Sequence, residues 1–232
     1  MTQKKAAHYR ELLRSGRWFR GLTPSHQEVI LSMARVRELA AGTVLFSRGD
    51  PSNGIFGVLD GQLRASGTDE EGRRAVLTMV EPPSWVGEIS VFDGLPRTHD
   101  LVVEADARVV HVPQEPLLDF LDREPRFWRE LAILMASKLR LSFEAIEQGQ
   151  ILSLDVRLAR RLVWMADGYG EWSEGVRREV HVSQDTLAQM LSTSRQTVNQ
   201  LLKAFEMQGW IRLSYGRVEI VDIAALRRSM RS

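Results

Sequence analysis

Between Arg35 and Val112 apolar and polar residues alternate in short runs closed by glycine: TVLFSRGD, GIFGVLDGQLRAS, GRRAVLTMV and DLVVEADARVVHV. Runs of this length, separated by turn residues, predict an antiparallel sandwich or barrel. Glycines at 42, 49, 54, 57, 61, 67, 72, 87 and 94 supply corners where positive φ or close backbone approach is needed. From Glu124 to Gln150 the period lengthens. The segment EPRFWRELAILMASKLRLSFEAIEQGQ predicts a helix of about seven turns. Phe127, Leu131, Leu134 and Leu141 form one apolar stripe along it, and Trp128, Met135, Leu139 and Ile146 form a second. Two stripes need two covering surfaces. The β-domain is one, and a second copy of the helix, in a short coiled coil, is the other; burial of the whole helix within one subunit is the alternative.

The segment HVSQDTLAQMLSTSRQTVNQLLKAFEMQGWIRLSYGRVEIVD carries a different pattern. Ser183 is placed to cap a helix whose inner face is Leu187, Ala188, Met190 and Leu191, and Ser192 makes the turn that follows. Thr193 and Gln196 have capping-box spacing for a second helix, with Val198, Leu201, Leu202 and Phe205 inside and Gly209 at its end. Its other face presents Arg195, Gln196, Asn199, Gln200 and Lys203. Arg fits guanine O6 and N7 bidentately, and Asn or Gln fits adenine N6 and N7. Ser194 and Thr197, near the helix start, are candidates for phosphate contacts, and Gln184, at the start of the preceding helix, is a further candidate for DNA contact. A hairpin turning at Tyr215 and Gly216 completes a winged helix-turn-helix.

Composition narrows the function. The chain has 232 residues, enough for two ordinary domains, 44% of them hydrophobic and 26% charged. The N-terminus lacks a secretory apolar region and no run nears the roughly 18 apolar residues of a membrane span, which predicts a cytoplasmic protein without membrane contact. There is no cysteine, which excludes thiolate metal sites and cysteine-ligated iron–sulfur clusters, and the five histidines are scattered, so no metal site is expected. Nor is any catalytic residue, since no nucleophile elbow, P-loop or dinucleotide fingerprint occurs. Net charge is +1, but residues 155–232 carry 12 basic against 9 acidic side chains, the direction expected of a part that meets nucleic acid.

The stretch GEISVFDGLPRT raises the remaining question. Glu88 and Arg97 lie nine residues apart, either as an ion pair closing a loop or as two ends of a ligand site. With the sequences above, and LLRSGRWFRGL near the start, this stretch resembles the catabolite activator/fumarate-nitrate regulator (Crp/Fnr) family of bacterial transcription regulators over nearly the whole chain. The resemblance implies an α+β fold: N-terminal helices and a cyclic-nucleotide-binding antiparallel β-roll (1–123), a dimerisation helix (124–152) and a winged helix-turn-helix DNA-binding domain (153–232), with a hinge near Ser153 to Asp155. It further implies a phosphate-binding cassette of Gly87, Glu88, Ile89, Ser90, Arg97 and Thr98, with Arg97 on the cyclic phosphate and Glu88 on the ribose 2′-hydroxyl. His99 and Asp100 follow where similar cassettes carry alanine, and Ser142 is the candidate base contact. The implied partners are double-stranded DNA, a second copy of the chain and, for an activator, RNA polymerase. No cofactor is required, and the candidate effector is cAMP or another cyclic nucleotide. The alternative is a ligand-independent DNA-binding regulator whose β-roll is structural or binds protein.

Overall fold

The computed structural model describes residues 3–170 and 177–230. Among them the chain divides into two compact units, residues 3–67 with 77–140, and residues 68–76 with 141–170 and 177–230.

The first unit opens with α1 (Gln3–His8), α2 (Arg10–Arg14), α3 (Arg17–Gly21) and α4 (Pro24–Met33). Thr23 caps α4 by accepting the His26 N–H at 3.2 Å, and Pro24 takes the first helical position, where no hydrogen bond is lost. The sheet follows: β1 (Arg35–Leu39), β2 (Val44–Phe46), β3 (Gly54–Thr68), β4 (Arg74–Val80), β5 (Trp85–Val86) and β6 (Asp100–Pro113), with α5 (Glu88–Asp93) between the last two. Strands run in the order β1-β6-β3-β4, with β2 paired to β6 and β5 to β3. The central pair is antiparallel from Gly54 opposite Pro113 to Ser66 opposite Asp100, and its register slips between Val58 and Leu63. Such bulges sharpen the twist and bend the ribbon, which is how two long strands roll up rather than lie flat. α6 (Gln114–Arg123) and α7 (Phe127–Ile151) close the segment.

Both faces of the ribbon are covered, so β3 is apolar at consecutive positions rather than alternating. Phe56, Val58 and Leu63 face Phe46, Leu101, Val103 and Val109 inside the roll. Ile55 and Leu59 face outward onto a helical layer containing Phe19, Ile30, Leu117 and Leu121. Trp85 stacks on Phe19 at 5.7 Å, and the Trp18 indole N–H donates to the Glu130 carbonyl at 2.7 Å, fixing α7 to the helical layer. Phe127, Leu131 and Leu134 of α7 are fully buried there. The second stripe differs from the sequence expectation. Leu139 and Ile146 are exposed, but Phe143 is exposed with them at the same 4-3 spacing, Trp128 is partly buried against the first core, and Leu141 is only half-buried.

In the second unit α8 (Leu154–Ala166) precedes β7 (Glu179–His181), α9 (Gln184–Leu191), α10 (Arg195–Met207), β8 (Ile211–Ser214), β9 (Arg217–Ile220) and α11 (Ile223–Ser229). The small antiparallel sheet has the order β7-β9-β8, so the expected wing hairpin gains a third strand. α8 packs against α9, α10 and α11, through Leu158, Ala159 and Leu162, all fully buried. Among the described residues no helix is long and apolar enough to cross a membrane.

Gly54 starts β3 at φ 117°, and a Cβ there would overlap the Val112 carbonyl oxygen. Gly54→Ala adds backbone strain to that overlap and is expected to lower stability by about 3 kcal/mol. The urea unfolding midpoint checks this; an unchanged midpoint would contradict the geometry.

Candidate functional site

β5 ends at Val86, and Gly87, at φ 98°, turns the chain directly into α5. α5 stops at Gly94, also left-handed, and the chain returns to Arg97, whose own N–H donates to the Asp50 carbonyl at 2.8 Å. The Arg97 side chain points inward and is 3% exposed. Its Nη1 donates to the Gly87 carbonyl at 2.8 Å, and its Nη2 donates to Asn53 Oδ1 at 2.6 Å and to the Gly54 carbonyl at 2.8 Å. The guanidinium lies 4.4 Å above the Phe46 ring, a favourable cation–π position. The Nε–H is buried without an acceptor among the described residues. Burial pulls the Arg97 pKa down, opposed by the charges of Glu88 and Asp50.

Glu88 is 1% exposed and does not pair with Arg97. Both its oxygens accept from Lys138 Nζ of α7, at 2.9 and 2.8 Å, and the same ammonium donates to the Trp85 carbonyl at 2.7 Å. The two residues that the sequence set against each other are therefore brought to one place, each with its own partner. Ser90 is buried and Ile89 half-buried on α5. Thr98 is exposed, with its hydroxyl 2.8 Å from His99 Nδ1, and the His99 ring meets the edge of Phe46 at 5.8 Å. The Asp100 carboxylate, which would repel a phosphate if it faced the cassette, accepts the Arg48 N–H at 2.8 Å instead. Ser142 is exposed on α7, one turn beyond Lys138.

Sequence reasoning missed Asn53, Phe46 and Lys138. Asn53 reads as a turn residue in PSNG. Lys138 carried a usable signal: it interrupts the buried stripe of Phe127, Leu131, Leu134 and Leu141 at the position where the 4-3 spacing calls for another apolar residue. A lone lysine on a buried stripe needs a buried acid.

In the second unit Ser183 caps α9 by accepting the Thr186 N–H at 3.0 Å, as expected. The cap of α10 lies one residue later than the Thr193 and Gln196 pairing. Thr193 donates its N–H to the Ala188 carbonyl at 3.0 Å and so completes α9, while Ser194 is extended and accepts the Thr197 N–H at 3.1 Å. Val198, Leu202 and Phe205 are buried and Leu201 half-buried; Arg195, Gln196, Gln200 and Lys203 are exposed on the other side of α10. Asn199 is half-buried and donates to Gln184 Oε1 at 3.0 Å, joining the starts of the two helices. Arg195 lies 3.5 Å from the Asp185 carboxylate, with both side chains largely exposed, so the contact is weak. Glu206 accepts the Leu213 N–H at 2.7 Å and fixes the wing to the end of α10, leaving Tyr215 fully exposed at its tip.

Residues 36–124 match the cyclic nucleotide-binding domain and residues 156–229 the Crp-like helix-turn-helix domain. This chain belongs to the Crp/Fnr family of transcriptional regulators. It is similar to the CRP-like cAMP-activated global transcriptional regulator of Mycobacterium tuberculosis, at 28% identity over 222 residues, spanning 95% of this chain and 99% of that one. The cyclic AMP receptor protein of Thermus thermophilus is 28% identical over 211 residues, spanning 90% and 94%. A crystal structure of a Crp/Fnr-family regulator, also from Thermus thermophilus, superimposes with a TM-score of 0.67 at 25% identity, covering 85% of this chain and 99% of that one. This Crp/Fnr chain is thus a DNA-binding regulator of transcription with an α+β fold.

Two histidines border the cassette. Burial holds His99 below its ordinary pKa of 6.5, helped by the nearby Lys138 charge and opposed by Glu88. Burial does the same to His111, partly offset by its Nε2–H donating to the Asn53 carbonyl at 2.8 Å. Below about pH 6.5 the unfolded chain therefore binds more protons than the folded one, so stability falls as the pH is lowered, until the folded histidines themselves titrate. The slope is at most about 1.4 kcal/mol per pH unit for each residue. Urea midpoints at about pH 7.5 and pH 5.5 measure it, and His99→Gln with His111→Gln is expected to flatten the difference.

Proposed function

We propose that this regulator binds a cyclic mononucleotide, cAMP first among the candidates, in its β-roll, and reads an inverted repeat as a parallel homodimer. The observation that carries the reading is Arg97. Its Nε–H is buried without an acceptor among the described residues, at a place where a cation, the left-handed Gly87 turn and a buried carboxylate converge. A buried N–H without a partner is costly, and a phosphate oxygen is the acceptor that an arginine favours. Gly87, Glu88, Ile89, Ser90, Arg97 and Thr98 form the cassette, with Ser142 as the base contact. The names of two relatives, a cAMP-activated regulator and a cyclic AMP receptor protein, agree with this choice.

The exposed row of Leu139, Phe143 and Ile146 on α7 supports the dimer, because a row with 4-3 spacing is the seam two helices bury in a coiled coil. The parts remain 1–123 for the effector, 124–152 for dimerisation and 153–232 for DNA, acting in the cytoplasm, with RNA polymerase as a further partner if the regulator activates. Two recognition helices related by a two-fold axis would read half-sites about 34 Å apart.

Calorimetric titration with cAMP, cGMP and cyclic di-GMP tests the effector. One cyclic mononucleotide is expected to bind well below millimolar, where the free energy is only about −4 kcal/mol. Arg97→Gln is expected to weaken it by at least about tenfold, the value of a charge-assisted hydrogen bond. No binding by the wild-type protein would favour the ligand-independent alternative. For DNA, Arg195→Ala is expected to cost about 1–3 kcal/mol per half-site and relax one base position. Recovery of the same operator motif by both proteins in a binding-site selection would remove Arg195 as a base reader.

A further inference from the structure

His99 follows Thr98 directly, precedes β6 and is half-buried. Its Nδ1 lies 2.8 Å from the Thr98 hydroxyl. The imidazole also meets Phe46 at 5.8 Å, the ring over which the Arg97 guanidinium lies at 4.4 Å, so His99 and Arg97 share one aromatic neighbour.

The contact between Nδ1 and the hydroxyl can be made in two ways, and they leave Thr98 in opposite states. When Nδ1 carries no proton it accepts, and the Thr98 O–H is spent on the imidazole. When Nδ1 is protonated it donates, the hydroxyl oxygen accepts, and the O–H is free to point at a ligand. A neutral imidazole can hold either arrangement, whereas an imidazolium has only the second. We propose that His99 is a positioning residue for the phosphate contact of the cassette: protonation of its imidazole releases the Thr98 hydroxyl as a donor to a phosphate oxygen, so the effector binds together with a proton.

The surrounding charges agree with this sign. Burial, the largest influence, favours the neutral imidazole; Lys138 of α7 and Arg97 oppose a further positive charge, while Glu88 of α5 and Asp100 of β6 favour one. Arg48, just beyond β2, donates its Nε–H to the Thr98 carbonyl at 3.0 Å and its backbone N–H to Asp100 at 2.8 Å. A phosphate diester held by Arg97 and Thr98 adds a full negative charge close to His99 and tips the balance towards the imidazolium. Linkage makes the effect reciprocal, since a ligand that strengthens proton binding at His99 is held more tightly, by the same factor, when the proton is there. The diester keeps its single charge throughout the range in which histidine titrates, so the proton belongs to the protein.

The inference rests on the cyclic-nucleotide reading of the cassette, and the test separates the two. cAMP, or cGMP if the effector titrations select it, is titrated calorimetrically at about pH 6 and about pH 8, each in two buffers of different ionisation heat, which counts the protons exchanged. The wild type is expected to take up a fraction of one proton at the lower pH and to bind at least about threefold more tightly there. His99→Asn offers both an acceptor and a donor to Thr98 but cannot become a cation. It is expected to bind with one affinity at both pH values and to take up no proton. His99→Gln replaces it if the thermal midpoint shows that the Asn variant does not fold. Thr98→Val is expected to lose more affinity at the lower pH, where the hydroxyl has been released. His111→Gln is expected to keep the uptake.

Uptake that survives in His99→Asn, or that disappears in His111→Gln alone, assigns the proton elsewhere and overturns the inference while leaving the cassette reading intact. Binding by the wild type that ignores pH does the same. An equal loss at both pH values in Thr98→Val also overturns it, because His99 then does not act through the hydroxyl. Absence of wild-type binding at either pH overturns the cassette reading itself, and this inference with it.

Discussion

Two opposite charges, Glu88 and Arg97, are buried in the same β-roll without being paired to each other. An unpaired ion in a protein interior costs several kcal/mol, so each has to be surrounded by opposite charge or by dipoles. Arg97 is met by the carbonyls of Gly87 and Gly54, by Asn53 and by the Phe46 ring. Much of the local backbone follows from this. The left-handed turn at Gly87 and the start of β3 at Gly54 place carbonyl oxygens against the guanidinium, and at Gly87 a side chain would meet Arg97 Nη1 at 2.9 Å. Carbonyl dipoles and the nearby charges of Glu88 and Asp50 together keep the guanidinium charged in the interior, although neither acid bonds to it.

Glu88 solves the same problem by recruiting a residue 50 positions away. The helix α7 consequently serves two kinds of contact from one face, apolar through Leu131 and Leu134 and ionic through Lys138. Apolar packing tolerates small slides of a helix, because dispersion falls gradually with distance and has no preferred direction. A partly buried ammonium bonded to three oxygens does not, since its hydrogen bonds depend on direction as well as distance. Lys138 therefore fixes the register of α7 on the roll more narrowly than the leucines beside it.

The sequence made the sheet, the long helix and the helix-turn-helix legible for different reasons. Helical period and caps are local, so α9 and α10 emerged nearly complete, and the one-residue shift of the second cap arose because Thr193 was consumed in closing the first helix. The short runs ended by glycine announced the roll but not its length in strands, since β3 and β6 bend through bulges that leave no hydrophobic signature. The third strand of the wing, β7, is three residues long and pairs with β9, a contact that only the fold brings about. Within the cassette, the positions of Glu88 and Arg97 were legible, whereas their partners were not. Asn53 and Lys138 are distant in sequence, and pairing between a buried acid and a remote lysine is decided by the fold. The interruption of a buried stripe by a lone lysine was the one local trace of it.

The two functional regions differ in how tightly their side chains are held, and this governs what a substitution in each can reveal. Arg195, Gln196, Gln200 and Lys203 stand exposed on a helix whose inner face is packed independently of them. Their contacts to the rest of the chain are weak, so altering them is expected to have little effect on folding. Arg97 and Glu88 are the reverse. Each of their bonds also satisfies a buried backbone or side-chain group, and removing either leaves carbonyls without a donor or Lys138 without its carboxylate. On the proposed reading, binding and stability are coupled in the β-roll and nearly independent on α10. That asymmetry would suit the proposed control, in which an effector has to be felt by the scaffold while an operator is told apart from other DNA by side chains that the scaffold only presents.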